Sequence, residues 1–298
     1  MRELKFSNKL CFLPLAVFSV LLSVTIFTKI PEFYVIAVVM VLLAEPHFGA
    51  SWPYIFSREY KDIFKEHKIS LVIVPVLIVI VALLIFFFLG FTIFSYLFLA
   101  ANMYHVNKQS LGMVKMQGLS KAAFSSADLD CHIPSIVFLA FHLFALNAMT
   151  SHLFAVLLLI AVLGYIFWRL PLKGYENTEN VKPIYFYSSV IQMSLVWFPL
   201  AIFSNPILAL AVGVSIHYVQ YLLFTGHIFA NEKNRNLIIA FVVIYAVCAT
   251  YIQSFGVNVI PWIIVLTAIP QLLHFYLDGF FWKFSNPKIR ERLVSNLF

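Results

Sequence analysis

Apolar residues run along this chain in blocks of about 17 to 25, the length a helix needs to cross a hydrocarbon core about 30 Å thick. The blocks predict helices near 10–28, 33–56, 69–89, 91–113, 133–149, 152–170, 184–203, 206–229, 237–254 and 258–282. The expected fold class is therefore all-α: a polytopic integral membrane helix bundle of about ten spans. Its shortest turns fall at Leu89-Gly90-Phe91 and around Met149-Thr150-Ser151, where a re-entrant pair or a nine-helix count is the alternative. The intervening stretches are too short for an extramembrane domain, so residues 1–298 read as one transmembrane domain without internal repeats.

Composition agrees with the pattern. Of 298 residues, 62% are hydrophobic and 11% charged, too little polar surface for a water-soluble domain of this size. The opening MRELKFSNKLCFLPLAVFSVLLSV has the basic start and apolar centre of a secretory signal but no small-x-small cleavage site, so it reads as a retained first helix. Cys11, Cys131 and Cys248 lie in or beside different hydrophobic segments and imply neither disulfides nor a cysteine zinc site.

Charge then orients the spans. Arg2, Lys5 and Lys9 precede the first; Arg58, Lys61, Lys65 and Lys68 follow the second; Lys108, Lys115 and Lys121 lie about the end of the fourth. Arg169, Lys173 and Lys182 follow the sixth, Lys233 and Arg235 the eighth, and Lys283, Lys288, Arg290 and Arg292 the tenth. Only Lys29, beside Glu32, falls on the opposite side. Positive residues concentrate in cytoplasmic loops, so both termini are expected in the cytoplasm, with a bacterial inner membrane as the expected location. This topology accounts for the net charge of +7 without a nucleic-acid partner, because the basic residues are scattered over short loops.

Against this background, ionisable residues inside the spans stand out, since each costs several kcal/mol in hydrocarbon and usually faces a bundle interior. His47 sits in the second expected helix, His105 in the fourth, His142 in the fifth, His217 and His227 in the eighth, and His274 with Asp278 in the tenth. With even-numbered helices running inward, His47, His105, His227, His274 and Asp278 fall in the cytoplasmic half, and His217 nearer the middle. At about 100° per residue, Asn102, His105 and Gln109 share one helix face, and Gln271, His274 and Asp278 share another. His217 aligns with Gln220, and His227 lies within about 80° of that stripe.

Neutral imidazole ligates iron, zinc and copper, and its second nitrogen is commonly held by a carboxylate, amide or carbonyl. Bundles build metal sites from ligands drawn one or two per helix. The expected ligands are His47, His105, His217 and His274, with His227 as a fifth; Asp278, Glu45, Gln109 and Gln220 are candidate catalytic or supporting residues. Glu45 lies about 200° from His47 on a regular helix and diverges from it unless Pro46 distorts the turn. The plainer reading of each such residue is an interhelical hydrogen bond. His142, accompanied only by Asn147, fits packing, and His67, His132 and His152 are expected to be solvated. Trp282 and Tyr54 fit an interfacial aromatic belt. P-loop, GxGxxG and HExxH motifs are absent, as are clustered desaturase histidine boxes and a paired-glutamate EExxxR box.

At PHFGASW, YHVNKQ, HYVQY and HFYLDGFFW the chain resembles polytopic membrane enzymes that place separate histidines from several helices around iron, nearest among them the Brp/Blh-like carotene dioxygenases. The local match is His47-Phe48-Gly49; the glutamine and aspartate partners elsewhere depart from that pattern. The resemblance implies iron, as one ion or two, and oxygen chemistry on a lipophilic substrate, with zinc or copper as other possible metals. Three functions remain open: a non-haem iron oxidoreductase or oxygenase acting on a lipid-soluble molecule, a metal-ion or proton transporter using the same His, Asp278 and Glu45 set, and an assembly protein whose histidines only tie helices together. Membrane lipids are the expected surroundings in all three.

Overall fold

The computed structural model describes residues 2–53, 65–116, 124–144, 152–169, 183–230, 233–259 and 261–281. Among these, every regular element is helical. In chain order they are α1 (Arg2–Phe27), α2 (Glu32–Val39), a π-helical turn (Met40–Ala44), α3 (Glu45–Gly49), α4 (Lys68–Met116), α5 (Phe124–Asp130), α6 (Ile133–Phe144), α7 (His152–Arg169), α8 (Pro183–Leu195), a 3₁₀ turn (Phe198–Ala201), α9 (Pro206–Phe229), α10 (Arg235–Val259) and α11 (Pro261–Phe281). Eight segments among the described residues are long and apolar enough to cross a membrane. Large apolar side chains such as Leu237, Ile244, Val247 and Tyr251 on α10 are exposed, as lipid contact requires. The expected boundary at Met149-Thr150-Ser151 and the expected belt residues Tyr54 and Trp282 lie outside the described residues.

The chain packs as two units, one drawn from Met1–Val39 and Tyr104–Leu223, the other from Met40–Met103 and Phe224–Phe298. In the first, α1 is held to α8 by a polar contact that begins with a proline. Pro14 lies inside α1 and has no N–H for the carbonyl four residues earlier, that of Leu10. Gln192 of α8 supplies the missing donor: its Nε2 lies 3.2 Å from the Leu10 oxygen and 2.8 Å from that of Cys11. The Ser188 hydroxyl, one turn back, also donates to the Cys11 carbonyl at 3.0 Å. Further along, Asn205 caps α9, its Oδ1 accepting from the backbone N–H groups of Ile207 (3.0 Å) and Leu208 (3.3 Å), with Pro206 at the first helical position. Trp197, Phe138, Phe186, Met193 and Leu208 of this unit are each almost fully buried.

The second unit takes residues 68–103 of α4, a helix that is 49 residues long in all, about 74 Å if straight and more than twice a bilayer core. It is not straight. Gly90 has φ 84° and ψ 168°, a conformation open essentially to glycine alone, and the helix reverses there. Leu77 and Phe98 would stand about 30 Å apart on one continuous helix, yet both line a single apolar groove of about 310 Å³ with Ala82, Phe94 and Leu272. Ala82 and Phe94, from the two arms, share a buried cluster with Val265, Ala268 and Ile269 of α11. The expected division at Leu89-Gly90-Phe91 is thus a helical hairpin. On its first arm, the Tyr276 hydroxyl donates to the Ser70 carbonyl (3.2 Å) and accepts from the Ser70 hydroxyl (2.7 Å), joining it to α11.

Candidate metal centre

The second expected span is interrupted where its polar residues begin. Residues 33–56 read as one helix, but α2 gives way at Met40–Ala44 to a wide π-helical turn, and a short α3 follows. The physical cause is Pro46: a regular helix would drive its ring into the carbonyl four residues back and leave that carbonyl without a donor. A π turn absorbs the mismatch, and such turns are frequent at functional sites. The π turn ends before Glu45, so the regular helix of Glu45–Gly49 keeps its ordinary turn between Glu45 and His47, and both still reach α11. Glu45, 1% exposed, accepts hydrogen bonds from Gln253 Nε2 of α10 (2.8 Å) and Gln271 Nε2 of α11 (3.4 Å). His47, fully buried, lies beside His274, one turn further along the same α11, with ring centroids 4.5 Å apart and planes at 72°.

Two pairs spaced by four residues meet at this point. His47 and Ser51 come from α3 and the turn after it; His274 and Asp278 come from successive turns of α11. The Ser51 hydroxyl lies 2.6 Å from His274 Nδ1 and donates to Asp278 Oδ1 at 2.9 Å. On the other edge of the imidazole, His274 Nε2 is 3.5 Å from Asp278 Oδ2. All four residues are buried. Phe48 packs edge-on to His274 at 5.3 Å, and Phe275 closes on Phe48 (6.4 Å) and on Phe98 of α4 (6.2 Å), giving the cluster an aromatic wall.

The first unit holds its own histidine pair. His105 of α4 and His217 of α9 are buried, with ring centroids 5.4 Å apart at 86°. Gln220, aligned with His217 by spacing, directs its amide N–H to the Oε1 of Gln192, so it extends the α1–α8 contact to α9. Gln109 is half-buried, and its Oε1 has no hydrogen-bond partner among the described residues. His227 is half-buried near the end of α9 and belongs to the second unit, apart from His217. His142 donates its Nδ1–H to the Leu200 carbonyl, 3.0 Å away, as a packing histidine would.

Sequence spacing missed two participants. Ser51 is one, although four residues after His47 is where a partner on the same face belongs. The other is Asn107, with His132. The Trp197 indole N–H can only donate, so the atom 2.7 Å from it is the Asn107 amide oxygen. That fixes the amide nitrogen toward the Ser135 hydroxyl (2.8 Å) and His132 Nδ1 (3.0 Å). The His132 ring also stacks on Tyr104 at 5.6 Å and 13°, so it is an ordered part of the first unit and not simply solvated. His67 likewise packs edge-on against Phe280 at 5.2 Å. A one-dimensional face count cannot find such contacts, because they join residues far apart in the chain.

His47, His105, His217, His274 and Asp278 are thus all buried, and each offers an atom able to ligate a metal ion. No protein-family profile, curated protein or solved structure matches the chain. What the helices and their composition define is an all-helical protein of the integral membrane type, carrying buried histidine clusters.

Proposed function

We propose that this protein is an intramembrane metalloprotein whose histidines hold non-haem iron, and that it oxidises or oxygenates a lipophilic substrate. The observation that carries the reading is the 3.5 Å separation of His274 Nε2 and Asp278 Oδ2. It is long for a hydrogen bond, but two ligand atoms each about 2.1 Å from one ion span that distance. A buried carboxylate beside a buried imidazole is costly without a cation or proton to share. His47, against the same imidazole, is a further ligand in this reading, and the His105–His217 pair of the other unit is a candidate ligand pair by itself. Imidazole with carboxylate suits iron, and zinc or copper next. Residues such as His274 and Asp278 would hold the ion, which would supply oxygen chemistry there, while Phe48, Phe275 and Phe98 make surroundings suited to an apolar molecule.

The same proposal takes ten spans with both termini in the cytoplasm of a bacterial inner membrane, on the strength of the loop charges. The hairpin at Gly90 supports counting two spans in residues 68–116, and α11, at 21 residues, supports a tenth. In that topology His47, His274 and Asp278 lie toward the cytoplasmic side, and the substrate is a membrane-soluble molecule.

Mass-spectrometric metal analysis of detergent-purified protein tests the reading. Iron near stoichiometry, lost in His47→Ala, His274→Ala and Asp278→Asn, is the expected result. Absence of any transition metal from wild-type protein purified without chelators overturns it. Retention of metal by the variants together with loss of ion uptake in vesicles would replace it with a transporter.

A further inference from the structure

In the first unit, every hydrogen around Asn107 has one place to go, and together they fix the protonation state of His132. The Trp197 N–H donates to Asn107 Oδ1 at 2.7 Å, so it is the Asn107 nitrogen that faces Ser135 and His132. Its two hydrogens go to the Ser135 oxygen (2.8 Å) and to His132 Nδ1 (3.0 Å). The Ser135 hydrogen is engaged elsewhere, donated to the His132 carbonyl at 2.7 Å. His132 Nδ1 is therefore an acceptor, and the ring is neutral with its hydrogen on Nε2. Protonation would put a hydrogen on Nδ1 and set two donors against each other across 3.0 Å. Turning the amide over gives no relief, because its nitrogen would then face the Trp197 N–H. Asn107, Ser135 and Trp197 are each at most 2% exposed, so a donor stranded among them is cut off from bulk water.

We propose that His132 and Asn107 form an acid-released latch: the neutral ring ties the turn between α5 and α6 to α4, and its protonation lets that turn come away. One amide holds several elements at once. Asn107 and Tyr104, which stacks on the His132 ring, belong to the turn of α4 that also carries His105; Ser135 belongs to α6, and Trp197 follows α8. The charged groups near the ring are paired with one another. Lys108 of α4 lies over the Tyr104 ring at 5.4 Å and bridges to Asp128 of α5, with Lys115 of α4 adding positive charge near the same carboxylate. Asp130 of α5 pairs with Arg169 of α7 at 3.4 Å, and the Cys131 thiol donates to the Asp128 carbonyl at 3.3 Å. Of these groups, histidine alone ordinarily titrates close to neutrality, at about pH 6.5. The closed latch accepts only the neutral ring, so it is complete above about pH 6.5 and is lost as pH falls from there.

Cys131, fully buried and next to His132 in the chain, reports the release. The full chain in detergent is treated with a dipyridyl disulfide, which thiols attack at acid as well as neutral pH, from about pH 8 to about pH 5. Labelling at Cys131 is read by peptide mass spectrometry for wild type, His132→Asn and His132→Phe. Asparagine offers an uncharged oxygen near the place of Nδ1 and does not titrate, while phenylalanine keeps the stack on Tyr104 and removes the acceptor. At the acid end, wild type is expected to label about 5- to 150-fold faster than His132→Asn, the range for one buried donor losing its acceptor. Comparing the two at one pH cancels the thiol's own ionisation. His132→Phe is expected to label fast throughout. Equal acid acceleration in wild type and His132→Asn overturns the latch, and so does a phenylalanine variant as slow as wild type at about pH 8. Melting temperatures give a second reading that needs only the first two proteins: His132→Asn is expected to gain on wild type as pH falls, and a constant difference between them overturns the proposal.

Discussion

Glu45 and Asp278 are both buried carboxylates on helices that meet in the second unit, yet their neighbours give them different tasks. Glu45 is gripped by two glutamine amides, each donating, in the manner of an interhelical clamp. Asp278 is shared between a hydroxyl and an imidazole. Glu45→Ala is therefore expected to lower the melting temperature, since it strands the buried amide donor of Gln271, at about 1–3 kcal/mol, and the half-buried one of Gln253, while metal per folded protein stays close to wild type. Asp278→Asn should do the reverse, keeping most of the stability and losing most of the metal. Metal analysis and thermal melts on the same two preparations check both; loss of metal in the Glu45 variant alone would move Glu45 into the ligand set. At this scale the sequence was informative about kinds of residue and poor about partners. His47, His274 and Asp278 announce themselves as ionisable groups in apolar helices, whereas Ser51 looks like any small polar residue until His274 is brought within 2.6 Å of it.

Among the elements, prolines and one glycine decide where helices bend and what repairs the bend. In α1, Pro14 frees the Leu10 carbonyl and Gln192 of α8 takes it up. Gln192→Leu should accordingly destabilise the protein, and Pro14→Ala should relieve part of that loss by restoring the intrahelical bond. A double-mutant cycle in detergent is expected to give a coupling of about 0.5–1.7 kcal/mol; strict additivity would refute the link. In α4, a Cβ at Gly90 meets no atom within 4 Å, so the cost of Gly90→Ala is purely conformational. The expected loss is about 1–3 kcal/mol, read as a lower melting temperature. The hairpin was foreshadowed by the short apolar turn at Leu89-Gly90-Phe91, because an unbroken run of 49 residues is too long for one crossing. The π turn before Glu45 was visible only as the presence of Pro46; which way the distortion would turn Glu45 depended on Gln253 and Gln271, which lie far along the chain.

For the molecule as a whole, the loop charges predict the orientation directly. Fluorescent-protein fusions at either terminus are expected to fluoresce in the cytoplasm, and a single cysteine placed at Lys29 is expected to react with an impermeant thiol reagent added outside intact cells. Reaction at Lys29 only after lysis would reverse the topology, and with it the depth assigned to His47, His274 and Asp278. The sequence by itself determined the class, because a chain of 62% hydrophobic residues arranged in helix-length blocks has few ways to satisfy its backbone other than as membrane helices. It also singled out the histidines, since the cost of a polar group in hydrocarbon is a property of the residue and its neighbours in sequence. Tertiary structure alone decided their company: Gln220 to Gln192, Glu45 to two amides, and His274 to Ser51 and Asp278. The reason is that a hydrogen bond is set by distance and direction in space, and helical periodicity reports which face a residue shares but not which helix that face meets.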